Sequence, residues 1–478
     1  MVSFLTFAIQ GGHGPHIASK SIVTQEHHHT SKVFRRGNNR PIALGISPAP
    51  GVRDITPSST LEPDGARIPE SYVATVAGGA LHTSQSEQLP RVILHHTLSS
   101  TSVVLGLSLG QCNGCGGVPN PAGGLAVSPA GNIYFADTYN QQVDEVTASG
   151  KLELVAGNGV IGDSGDGGAA VSASLAYPSA VALDRAGDIF VGQLGRFTEL
   201  PSYQLGQPGP LALDGDTGVR EISTTGKIKS VVGNGKFCAS HNLTKCGLGG
   251  PANQFEVGSI TDIAVDSSDN LFFSSGAIFM VPSKGGLYFG QEMTGGYVYA
   301  IAGDSATGSY TGDARPAVSS GMSVSAFNLD PKSDLFIAEN NCINEVPDNN
   351  VSQFGHSMLA GDIYTVVGNC NGPAEQAGSG GPATSVFLAD PSGVSVDGQG
   401  NIFISDSDSQ QILELIATTD DVVTVAGNGI QGFLDASPAT NAEFSYPMAI
   451  AVYQSSGKSE SVLVDDKGND CLRIVGID

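Results

Sequence analysis

Apolar residues fall along this chain in short runs, broken by Gly, Asn and Asp, and two phrases built from such runs recur. The first is a β-branched run ending in Ala or Val and then Gly. It reads TVAGG at Thr75–Gly79, LVAGNG at Leu154–Gly159, VVGNG at Val231–Gly235, AIAG at Ala300–Gly303, VVGN at Val366–Asn369 and TVAGNG at Thr424–Gly429. The second is an apolar run, a polar turn and another apolar run, at Gly124–Asp137, Ala180–Gly192, Asp262–Ser274, Ala326–Glu339, Gly393–Asp406 and Ala449–Asp466. Each copy of the second phrase predicts a β-hairpin. A third apolar piece follows, as at Val143–Val146, Ile412–Leu415 and Leu472–Val475, and the VAG phrase supplies a fourth strand. Four strands make a blade, and six blades make a closed ring. The expected fold is therefore all-β, a six-bladed β-propeller spanning 71–478. The chain opens with a lone VAG strand (72–78) and ends on a third strand (472–475), so the N-terminal strand should close the last blade. The VAG glycines are spaced about 70 residues apart, longer than a bare blade, with insertions at about 80–121, 195–217 and 283–295.

Composition agrees with this reading. Gly accounts for 64 of 478 residues and charged residues for only 14%, which excludes a coiled coil. A disordered chain is excluded by the 40% of apolar residues, and no apolar run has the length of a membrane helix. The net charge of −24 makes nucleic acid a poor partner. Residues 1–70 differ, with 7 basic and 5 acidic residues and half of the 10 histidines, His27-His28-His29 among them, and are expected to be a poorly ordered N-terminal segment. Seven cysteines suggest the pairs Cys112–Cys115, Cys238–Cys246 and Cys342–Cys370, leaving Cys471. Cys471 and Cys342 share one repeat position, and the counterpart of Cys370 falls at Ala80, so Cys112 or Cys115 is the substitute partner for Cys471. Loop-borne cysteine pairs point to an extracellular or periplasmic location, although the start MVSFLTFAIQ is a poor export signal.

The phrases resemble NHL-repeat β-propellers of the bacterial VAGNG/GDGGPAT type. The resemblance covers about 71–478 and is carried best by Ala136-Asp137-Thr138-Tyr139-Asn140, by Asp466-Lys467-Gly468-Asn469 and by Gly380-Gly381-Pro382-Ala383-Thr384. Related loops are Gly165-Asp166-Gly167-Gly168 and Gly249-Gly250-Pro251-Ala252. Blades two and three depart from the pattern, reading GQLGR and SSGA after the second strand. The resemblance implies a scaffold or binding platform, while similar propellers include metal-dependent lactonases and histidine-dependent lyases.

Candidate chemistry is sparse. The recurrent acids Asp137, Glu339, Asp406 and Asp466 read best as turn caps, and the GDGG loops lack calcium-loop spacing. The first strand of each blade should line the channel. Its small-residue columns contain three polar exceptions, Asp262, Asn328 and Ser395, which are the candidate ligand site; Asp262 and Asn328 are the candidate metal ligands, with Ca2+ the cation considered. No cofactor is otherwise called for. His82, His95, His96, His241 and His356 fall in loops or insertions, away from these columns. The preferred reading is a non-catalytic extracytoplasmic scaffold that binds a protein, peptide or glycan through loops such as 80–121, 195–217 and 237–257, where Tyr203, Phe237 and His241 are candidate contacts. The alternative is a divalent-metal-dependent lactonase or lyase at the central channel.

Overall fold

The computed structural model describes residues 72–78, 124–199, 211–238, 243–303, 310, 312–372, 381–454, 460–469 and 471–477. The chain divides into Met1–Asp54 and Ile55–Asp478, and every described residue lies in the second unit. The expected N-terminal segment 1–70 lies outside the described residues.

Five four-stranded antiparallel sheets and one five-stranded sheet, to which Arg315–Pro316 adds an edge strand, carry the fold, and helical turns among the described residues are short 3-10 turns. Blade 1 is Leu125–Val127, Ile133–Asp137, Gln142–Val146 and Leu152–Ala156. Blade 2 is Pro178–Leu183, Ile189–Gln193, Gly218–Ile222 and Ile228–Val232. Blade 3 is Asp262–Val265, Leu271–Ser274, Ile278–Val281 and Tyr299–Ala302. Blade 4 is Val324–Leu329, Leu335–Glu339, Cys342–Val346 and Asp362–Gly368. Blade 5 is Pro391–Val396, Ile402–Asp406, Gln411–Ile416 and Asp421–Ala426. Blade 6 is Pro447–Gln454, Glu460–Asp466 and Cys471–Gly476, with Tyr72–Gly78 paired antiparallel to its third strand, Tyr72 opposite Gly476. The six first strands touch neighbour to neighbour, and that of blade 6 returns to that of blade 1, so they form a ring. Small residues at this crowded inner wall let the strands approach, as at Gly393, where an added Cβ would strike the Met448 carbonyl of the next blade.

The VAG phrase has a local physical meaning. In every blade the fourth strand skips one residue against the third, at Val155, Val231, Ile301, Val366, Val425 and Val76, which is the signature of a β-bulge. The following glycines 157, 233, 303, 368 and 427 all have φ between +78° and +97°, a region costly for other residues. The N–H groups of Gly157, Gly233, Gly303 and Gly427 donate to the carbonyls of Ala170, Ala252, Ala317 and Ala439. Those alanines are buried in the loop leading to the next blade, so one phrase anchors the other. Gly427→Ala puts a Cβ into left-handed backbone facing the Gln410 carbonyl. It is expected to cost about 1–3 kcal/mol in urea unfolding; a loss of a few tenths would refute this account of the motif.

The core lies between blades. Between blades 2 and 3, Phe273 and Phe279 stack at 5.2 Å and the Phe255 ring lies tilted against both at 5.5–6.4 Å. The insertion at 195–217 forms the hairpin Arg196–Glu199/Leu211–Gly215, and that at 283–295 forms Gly286–Tyr288/Gln291–Met293. A further hairpin, Val351–Gln353/His356–Met358, was not anticipated. Its turn, Phe354-Gly355, is too short to lengthen the repeat visibly, and it sets the His356 ring 5.9 Å from Tyr364. Cys238–Cys246 and Cys342–Cys370 are disulfides, with Cα–Cα distances of 5.7 and 4.8 Å. Cys471 is buried and unbridged, while Cys112 and Cys115 lie outside the described residues. No helix among the described residues is long and apolar enough to cross a membrane.

Candidate functional site

The three polar residues of the inner wall have different surroundings. Asp262 begins the first strand of blade 3 and is buried. Its Oδ1 accepts from the Ile263 N–H and its Oδ2 from the Phe327 N–H of blade 4, each at 2.8 Å. Burial pushes this carboxyl up to about 7, against those two N–H groups. Ser395 Oγ accepts from the Val452 N–H of blade 6 at 3.0 Å. Both side chains thus tie one blade to the next across the inner wall. Asn328 lies half-buried opposite Phe336, at the same level as Ser395, which faces Phe403. Asp262 lies two residues along its strand from that level, because Ala264, facing Phe272, is the counterpart of Asn328.

Three of the four recurrent acids are caps. Asp406 Oδ1 accepts from the Ala389 N–H and Asp466 Oδ1 from the Ser445 N–H, both at 2.7 Å, and Glu339 Oε2 accepts from the Ser323 N–H at 3.2 Å. In each case the acceptor holds the loop entering its own blade. Gln193 fills the same position in blade 2 and accepts from the Ala176 N–H. That explains how GQLGR dispenses with the acid. At the other end of the ring, the Asp that opens each first hairpin turn caps it. Asp184, Asp266, Asp330 and Asp397 each accept two backbone N–H groups within their own turn. Four residues on, Asp188, Asn270, Asp334 and Asn401 accept from the neighbouring turn of the same blade.

The GDGG loops also have a packing role, one that sequence reasoning missed. Asp166 accepts from the Ser230 N–H and pairs with Arg220, whose guanidinium is buried in the third strand of blade 2. The equivalent loop position before blade 6 is Asp435, which pairs with the buried Arg473 at 2.8 Å. Before blade 3 that position is Leu248, and the third strand answers with Phe279 in one apolar cluster. Before blade 4 it is Asp313, held by the Thr365 N–H, with Asn344 on the third strand. In blades 2, 3, 4 and 6 the loop residue and the third-strand residue match in polarity. The pairing was legible in principle, because aligning the repeats sets Asp beside Arg twice and Leu beside Phe once.

Among the described residues, the group of three metal-type ligands within 4.8 Å of one another is Glu339, Cys342 and Cys370, whose two sulfurs are bonded to each other. A cavity of about 180 Å³ lies between blades 3 and 4, lined by Asp266, Asn270, Tyr288, Phe289, Lys332 and Asp348. It opens at the end of the ring that carries the first hairpin turns, not at the Asp262 level. Tyr203, His82, His95, His96 and His241 lie outside the described residues, and Phe237 is exposed.

Exposed apolar side chains gather at one end. Of fourteen large exposed hydrophobics among the described residues, ten sit on connections from one blade's fourth strand to the next blade's first. Strand alternation puts all these connections at the same end of the ring. Of these ten the most exposed are Val160 (58%), Ile430 (59%) and Phe433 (47%). Val160 and Ile430 are held out on rigid tips, their N–H groups bonded to the side chains of Asn158 and Asn428.

No family model matches the chain, and no curated protein matches it in sequence. Solved structures match in fold. A protein of unknown function from Bacteroides thetaiotaomicron is 13% identical, over 85% of this chain and 76% of that one, with a TM-score of 0.50. A putative phosphatase from the same organism is 10% identical, over 86% and 79%, also with a TM-score of 0.50. An auxiliary nutrient binding protein from that organism is 13% identical, over 86% and 77%, with a TM-score of 0.49. At these identities the likeness concerns the fold alone.

Proposed function

We propose that this chain is an NHL-type propeller that acts outside the cytoplasm as a non-catalytic platform for a protein, peptide or glycan. The observation that carries the reading is the crown of exposed apolar residues on the loops between blades. Binding residues are commonly set on loops over a rigid ring, and these loops hold large apolar side chains out to solvent. The two disulfides support an oxidising compartment. Against the lactonase or lyase reading stands the state of Asp262. Both of its carboxylate oxygens accept backbone N–H groups, and a metal there would have to compete with them.

The test uses the full chain on glycan and peptide arrays, with Val160→Asp/Ile430→Asp as the matched variant. Saturable binding that falls at least about tenfold in the variant, with unchanged melting, is the expected result. Turnover of a lactone that disappears in Asp262→Ala would instead establish the enzyme.

A further inference from the structure

We propose that blade 1 carries a divalent-cation site formed by Asp137 and Asp144. The argument comes from comparing the blades at two positions, the last residue of the second strand and the third-strand residue two places beyond its partner. In blade 6 these are Asp466 and Arg473, and the guanidinium meets the carboxylate at 2.9 Å with both side chains fully buried. In blade 4 they are Glu339 and Asn344, joined by a hydrogen bond from the amide Nδ2 to Oε1. Blade 2 has Gln193 and Arg220, the latter paired with Asp166. Blade 3 has Ser275, whose N–H donates to the Ala277 carbonyl, and Phe279, and blade 5 has Asp406 and Leu413. Wherever the third strand brings a polar group here, it is a donor. Blade 1 alone brings a second acid: Asp137 pairs with Gln142 and Phe135 with Asp144, so Asp144 takes the place of Arg473.

Both residues are more than nine-tenths buried, Asp137 at 6% and Asp144 at 8% exposure. Asp137 Oδ2 accepts from Asn140 Nδ2 at 2.7 Å, while its Oδ1 is buried without a partner. Asp144 makes no hydrogen bond or ion pair among the described residues. Two buried acids facing each other without a counter-charge are expensive, and breaking an arrangement like that of blade 6 costs several kcal/mol. The facing charged and titratable groups are few. Lys467 of blade 6 acts on Asp137 only at a distance, as the smallest influence on it. Among the described residues no other Lys or Arg acts on either acid; the connection 79–123, which contains Arg91, His82, His95 and His96, lies outside them. One distant lysine cannot neutralise two carboxylates. A hard divalent cation can, taking oxygen ligands from both and completing its shell with carbonyls and water, as calcium does. The site is separate from the inner wall and independent of the binding-platform reading.

The test is melting and titration calorimetry of the full chain, stripped with EDTA, at pH 7.5 and constant ionic strength, with CaCl2 and MgCl2 as the probes. The melting temperature should rise by about 3–5 °C at a hundredfold excess over Kd. Asp144→Arg recreates blade 6 and should melt higher than the stripped protein, with the cation response lost. Asp144→Asn keeps the shape and should bind at least about tenfold more weakly, which covers failure of the arginine variant to fold. Asp262→Ala should respond as the parent does. A parent chain indifferent to both cations overturns the proposal. So does binding of equal strength in Asp144→Asn, and so does a response abolished by Asp262→Ala but kept in Asp144→Arg.

Discussion

Arg473→Met is expected to destabilise the propeller by about 3–5 kcal/mol, because it removes the fully buried cation from the Arg473–Asp466 pair. The guanidinium donates to Asp466 Oδ2, to Asp435 Oδ1 and to the Leu434 and Glu443 carbonyls, and lies 4.4 Å from the centroid of the Phe444 ring. Methionine fills the volume and satisfies none of these acceptors. Blade 5 has Leu413 at this strand position, and aligning the repeats in sequence sets Ser379 where blade 6 has the aspartate. Arg473→Leu with Asp435→Ser should therefore recover part of the loss, and a double-mutant cycle in urea should give a coupling of about 1–3 kcal/mol. Strictly additive losses would mean that the loop aspartate and the strand arginine do not act as a unit.

The protein is also expected to be more stable near pH 5 than near pH 8. Burial is the largest cause of a raised pKa at Asp144, Asp262, Glu339, Asp406 and Glu460, all pushed up to about 7, at Asp334, to about 6, and at Glu345, to about 8. The ordinary values are 3.8 for Asp and 4.5 for Glu. Between those values and the raised ones the folded chain holds protons that the unfolded chain releases. Its stability is thus fully supported below about pH 4 at these groups and lost as pH rises through 6–8. The net charge of −24 adds self-repulsion in the same direction. Asp166 opposes the trend: against the cost of its burial, Ser230 and Arg220 hold it below the ordinary value, so its contribution is lost in stronger acid. Melting temperatures at constant ionic strength from pH 4.5 to 8.5 check this, and Glu345→Gln should flatten the upper part of the profile. A melting temperature that climbs with pH across that range would contradict it.

The blade count was legible because each phrase encodes an event of its own. A bulge followed by a positive-φ glycine depends on a few consecutive residues, and so does an Asp that caps the turn it opens. Six repetitions of such events define a ring even where single blades depart from the pattern, as blade 2 does at Gln193. The cysteine pairs Cys238–Cys246 and Cys342–Cys370 were legible for the same reason, since each joins neighbouring pieces of one repeat. The hairpin around Phe354 was not, because it lengthens its blade too little to break the period.

The sequence by itself determined the all-β class, the six blades and the place of VAG as a fourth strand, because short-range backbone geometry decides them. Only the tertiary structure decided what the polar residues do. Asp262 reaches the Phe327 N–H 65 residues away, Arg473 reaches Asp435 across 38 residues, and Arg220 reaches Asp166 across 54. A carboxylate reads the same on paper as a ligand or as a staple between blades. Which one it becomes depends on whether folding brings a backbone N–H, a guanidinium or a second carboxylate to face it in a buried place, where an unmet charge costs most.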